Sequence, residues 1–228
     1  MSPQDSLYTV SIILFLDAIV LVLLIYNFNK LDYQFLRFAY AALIAKMVAQ
    51  IAFFGWAMTK SITTFIALGY LAEVAFAALT LVCLAHMMGR AVPIKLILGC
   101  VLFYLGNSLY SMSLDDYPIL QWFLAEAGPI ALLATGAYYL LERRESLSTY
   151  LLAGILGLVI VVKLVLPVVV DDPYIFSLTF LFSCLLPIVV GVLQLMISSD
   201  RMMTSLEAKN DELASYKQEN RRLELQFT

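Results

Sequence analysis

The chain has 228 residues, of which 62% are hydrophobic and only 14% charged, and its formal net charge is −3. A soluble domain of this length needs more polar residues to coat its surface, so the composition excludes an ordinary water-soluble fold. The apolar residues also fall in long blocks, and a helix needs about 20 of them to cross the hydrocarbon core.

The first block, Leu7–Asn29, has no basic segment before it and no small-residue cleavage site after it, so it is expected to be a retained helix. It carries Asp17. The second, Phe35–Met58, carries Lys46 with Gln50 one turn later on the same face. The third, Ile62–Met87, carries Glu73, Thr80 two turns on, and the only histidine, His86. The fourth, Pro93–Met112, contains Asn107, and the fifth, Tyr117–Leu141, contains Trp122, Glu126 and Pro129. The sixth, Leu147–Val170, holds Lys163 and Pro167, and the seventh, Tyr174–Ile197, holds Pro187 and no lysine. Cys83, Cys100 and Cys184 all lie inside blocks and read as small buried hydrophobes.

The fold class expected is an all-α membrane protein: a seven-transmembrane-helix bundle over residues 1–198, followed by a cytoplasmic coiled-coil helix over 199–228. Basic residues in short loops set orientation. Lys30, Arg37, Arg90, Lys95, Arg143, Arg144 and Arg201 share one side; Lys60 with Asp5, Asp115, Asp116, Asp171 and Asp172 share the other. This places the N-terminus outside and the C-terminus in the cytoplasm, which requires an odd number of crossings. Tyr8, Trp56, Tyr110, Tyr117 and Tyr174 fall near the outer ends as interface aromatics.

Beyond Ile197 the sequence turns polar, without Pro or Gly. Leu206, Leu213, Asn220 and Phe227 recur every seven residues, with Lys209, Tyr216 and Leu223 three residues later. That is a heptad seam with Asn at one core position, a residue that fixes register in parallel dimers. An amphipathic helix lying on the membrane is the competing reading. The narrow apolar stripe and mixed charges favour a coil that pairs two copies of the chain.

Five ionisable side chains, Asp17, Lys46, Glu73, Glu126 and Lys163, lie deep in the blocks, where a charge must face a partner or a wet cavity. At 1.5 Å per residue, Asp17, Lys46 and Glu73 lie roughly 15–18 Å below the outer ends of their helices, and Glu126 and Lys163 roughly 10–13 Å. Equal depths predict an Asp17–Lys46–Glu73 cluster and a separate Glu126–Lys163 pair. With Gln50, Asn107 and Trp122 these would line a pocket for a small-molecule or lipid-like ligand. Interhelical glue without a ligand, and an ion or proton path, remain open alternatives. Pro129, Pro167 and Pro187 each remove an intrahelical hydrogen bond, and Pro187 precedes the polar segment directly.

One histidine and scattered cysteines form no metal or haem set, so no cofactor is expected. No glycine-rich phosphate loop or nucleophile elbow occurs, and no nucleic-acid partner is expected. The absence of lysine from Tyr174–Ile197 argues against a retinal protein, and no inverted repeat suggests a transporter.

A seven-helix block running into a cytoplasmic coil resembles the N-terminal sensors of bacterial signalling proteins, which precede diguanylate cyclase, phosphodiesterase or histidine kinase domains. Leu68-Gly69-Tyr70-Leu71 through Met88-Gly89-Arg90 resembles the third helix of the seven-helix histidine-kinase input module. Leu225-Gln226-Phe227-Thr228 resembles the Leu-Ala-x-x-Asp turn that enters diguanylate cyclase (GGDEF) domains, with Gln226 departing from Ala. The resemblance implies an inner-membrane receptor that is not itself an enzyme. It further implies that the chain continues into an output enzyme, a diguanylate cyclase or alternatively a histidine kinase, with Pro187, Leu206, Leu213, Asn220 and Leu223 transmitting the signal. A transporter and a purely dimerising scaffold are the rival functions.

Overall fold

The computed structural model describes residues 3–31, 34–59, 63–111, 118–143, 147–165, 168 and 173–227. They form seven α-helices: α1 (Pro3–Leu31), α2 (Gln34–Thr59), α3 (Thr63–Met87), α4 (Ile94–Ser111), α5 (Pro118–Arg143), α6 (Leu147–Val165) and α7 (Pro173–Phe227). Five of them, α2, α3, α5, α6 and α7, are long and apolar enough to cross a membrane. The apolar stretches Ile12–Tyr26 of α1 and Ile94–Asn107 of α4 are shorter.

Those same five helices pack in a closed circuit, α2 on α3, α3 on α5, α5 on α6, α6 on α7 and α7 on α2. Helix α1 lies against α2 and α7, and α4 lies against α3 and α5. The outward faces of both are apolar and exposed, as at Phe15 (66%), Val22 (64%) and Leu102 (66%). Asp17, Lys46, Glu73, Glu126 and Lys163 are all buried. Charges inside and hydrocarbon outside is the polarity that a lipid solvent selects, and water would select the reverse.

The main apolar core joins all seven helices around Leu24, Leu36, Leu84, Cys100, Leu132, Leu156 and Leu193. A smaller cluster of Tyr70, Val74, Tyr104 and Ala125 packs toward the N-terminal end of α3. Without a hydrophobic force between helices, small residues permit the close approach that dispersion requires. A Cβ on Gly136 would lie 2.8 Å from Leu84, and one on Gly191 would lie 3.0 Å from Val20. Helix α3 ends in a Schellman cap: Arg90 N–H donates to Ala85 O at 2.8 Å and Gly89 N–H to His86 O at 3.1 Å. Gly89 supplies the positive φ of 60° that this cap needs.

Helix α7 is one uninterrupted element of 55 residues, about 80 Å long at 1.5 Å per residue. The composition changes at Ile197, but the helix runs on through Ser198, Ser199 and Asp200 into the polar segment. Ser198 Oγ donates to Gln194 O at 2.7 Å, and Thr204 Oγ1 donates to Asp200 O at 3.0 Å. The cap-forming side chains are satisfied inside a continuing helix. Residues 203–222 are all exposed, including Leu206, Leu213, Tyr216 and Asn220. Pro167, Pro187's counterpart in the sixth block, lies outside the described residues, as do the side chains of Leu223 and Trp122.

Candidate functional site

Four of the five circuit helices send a charged side chain inward. Lys46 of α2 donates to Glu73 Oε1 of α3 in an ion pair. Lys163 of α6 donates to Glu73 Oε2 at 3.0 Å and to Glu126 Oε2 of α5 at 2.6 Å. The result is one chain, Lys46–Glu73–Lys163–Glu126, with two positive and two negative charges in alternation. All four side chains are less than a tenth exposed.

This corrects the division into a triad and a separate pair. Glu73 joins the two groups, because depth along a helix axis ignores the reach of a lysine stem. Helices α3 and α6 do not pack against each other among the described residues, yet Lys163 spans the interior between them. Its ammonium also sits in the last described turn of α6, where a cation offsets the helix dipole.

Asp17 does not join the chain by a hydrogen bond. It is fully buried on α1, within the field of Lys46 and beside Gln50, but neither of its oxygens has a hydrogen-bond partner. The Gln50 amide is buried and equally unpartnered at both its oxygen and its nitrogen. Asp17 and Gln50 are neighbours where α1 packs on α2.

Around the chain lie groups that the sequence reading passed over. Lys46 Nζ lies 5.7 Å from the centroid of the Phe76 ring, a cation–π geometry. Tyr70, one turn from Glu73, lies within the field of both Glu73 and Glu126. Tyr104 donates to Ala67 O at 2.6 Å and anchors α4 to the start of α3. Asn107, expected to line the pocket, is partly exposed on the peripheral α4 and outside the ion-pair chain. Among the described residues no group of three His, Cys, Asp or Glu side chains is placed to hold a metal ion.

A second polar site lies where α7 leaves the bundle. Arg201 donates to Met87 O at the C-terminal end of α3 and lies 3.9 Å from Met88 Sδ. That carbonyl is one of those a helix end leaves without an internal donor, and a cation there also meets the negative end of the dipole. The neighbouring Asp200 accepts from Ser148 Oγ of α6 at 3.1 Å. Arg90, just past α3, pairs with Glu142 of α5 at 2.6 Å. Buried Pro187, buried Gln194 and Arg201 recur every seven residues on the inward face of α7. That spacing is a signal present in the sequence. Comparisons with protein families, with curated proteins and with solved structures find no match for this chain.

Proposed function

We propose that this chain is the input module of a bacterial membrane receptor, with seven crossings, an outer N-terminus and a cytoplasmic C-terminus. A small or membrane-soluble ligand binds at the buried charged chain and changes its pairing. Helix α3 carries that change to α7, and α7 carries it to a cytoplasmic output enzyme. The enzyme proposed is a diguanylate cyclase, with a histidine kinase as the alternative, and two chains pair through Leu206, Leu213, Asn220 and Leu223.

The observation that carries this reading is the double attachment of α3. Near its middle it holds Glu73, the only carboxylate bonded to both lysines among the described residues. At its C-terminal end it holds Met87, whose carbonyl receives Arg201 of the unbroken α7. A ligand can move an output only through differential affinity for two states, and alternative pairings of Glu73 with Lys46 or Lys163 offer two such states. The test joins the chain to a cyclase reporter at its C-terminus. Glu126→Gln with Lys163→Met should shift reporter activity, and Arg201→Ala should erase that shift.

A transport reading draws on one observation: Thr80 Oγ1 of α3 and Gln194 Nε2 of α7 are buried without hydrogen-bond partners. Solute uptake by liposomes carrying the chain would establish it, and absence of flux with a responsive reporter would leave the receptor.

A further inference from the structure

The Asp17–Gln50 pair is the one part of the charged interior that the ion-pair chain leaves unused. Lys46 is committed to Glu73, and Lys163 to Glu73 and Glu126. With Asp17 counted, three carboxylates face two ammoniums, so the interior holds one negative charge in excess. A buried charge without a partner is among the most costly features a fold can contain. Three buried oxygens here lack hydrogen-bond partners, Oδ1 and Oδ2 of Asp17 and Oε1 of Gln50. Carboxylate oxygens only accept, and the amide can turn its oxygen toward a cation.

We infer that Asp17 and Gln50 form a binding site for a monovalent alkali cation between α1 and α2. Its single charge balances the interior. A divalent ion is disfavoured because its second charge would leave the interior positive. Gly191 seats closely against Val20, one turn beyond Asp17, where α1 packs on α7. The inference rests on reading the charged interior as a binding site, and adds the chemical class of one occupant.

The experiment follows thermal unfolding of the whole chain in lipid nanodiscs, using a thiol-reactive dye that reports exposure of buried Cys83 and Cys100. The probes are sodium chloride, potassium chloride and choline chloride at equal ionic strength. A ligand bound only by the folded state raises the midpoint with the logarithm of its concentration. Sodium or potassium should do so, and choline should not. Asp17→Asn, isosteric and uncharged, should match or exceed the wild-type midpoint in choline and lose the alkali response. Gln50→Ala should move half-saturation at least tenfold higher. Equal effects of all three salts, an alkali response that survives Asp17→Asn, or no salt response in a folded wild type would each overturn the site. The last result with a stabilised Asp17→Asn would assign a proton to Asp17 instead. The readout needs no output enzyme, so an alkali response beside an inert reporter would overturn the receptor reading and leave the cation site standing.

Discussion

Lys163 Nζ lies 3.0 Å from Glu73 Oε2, although the helices that carry them, α6 and α3, do not pack among the described residues. The contact therefore crosses the interior of the helix circuit. It links the α2–α3 ion pair to the α5–α6 ion pair, and disturbing either changes the environment of the other.

Removing Lys163 alone should be severe. Lys163→Met leaves Glu126 with no cation and Glu73 with only Lys46, and breaking a buried pair from one side costs about 3–5 kcal/mol. Lys163→Met with Glu126→Gln keeps the Lys46–Glu73 pair and should recover most of that loss. The check is a double-mutant cycle on unfolding midpoints in nanodiscs. Additive losses would mean that Lys163 and Glu126 do not depend on each other.

The end of α3 should be sensitive to both of its devices. Gly89→Ala places a side chain at φ 60° and should cost about 1–2 kcal/mol. Arg201→Ala removes a cation from the helix terminus and should cost up to about 2 kcal/mol. Arg201→Lys should restore only part of it, because a point charge replaces a planar fork. Hydrogen exchange at residues 84–88 would report each change directly, and unchanged protection in Arg201→Ala would remove the clasp.

Topology is tested by labelling. Cysteines at Asp116 and Asp172 should react with an impermeant reagent from outside, and one at Arg144 should not. These three positions lie outside the described residues, and the expectation rests on the distribution of basic residues between loops. Reaction of all three from one side would contradict seven crossings.

The helical blocks were legible because long apolar runs leave a chain few other structures in lipid. The five buried charges were legible for the same reason, since each stood out against hydrocarbon. Their pairing was not. Sequence gives the height of Glu73 and Lys163 on their helices but neither their direction around the axis nor the reach of the lysine. Asn107 lies on α4, which packs outside the circuit, and sequence does not give the order of helices around a bundle. Arg201 was visible only as one loop charge among several. Its seven-residue spacing from Gln194 and Pro187 marked it as inward-facing, yet a partner made of backbone carbonyl leaves no trace in sequence. The course of α7 from its apolar block into the polar segment was legible, since that stretch has helix formers and no Pro or Gly.

The exposed seam of α7 should pair with a second copy. Leu213 is 57% exposed and Leu206 49%, and both stand at the heptad positions that a parallel coil buries. A cysteine at position 213 should cross-link readily in membranes, and one at Lys217 poorly. Equal yields would argue against a defined seam.

The central claim is that pairing within the charged chain sets the geometry of α7 beyond Arg201. It is tested most directly by the distance between spin labels at position 213 of the two chains, measured in liposomes by pulsed electron resonance. The double substitution Lys163→Met with Glu126→Gln should shift the distance distribution relative to wild type, and adding Arg201→Ala should abolish the shift. A folded double variant with the wild-type distribution would contradict the claim.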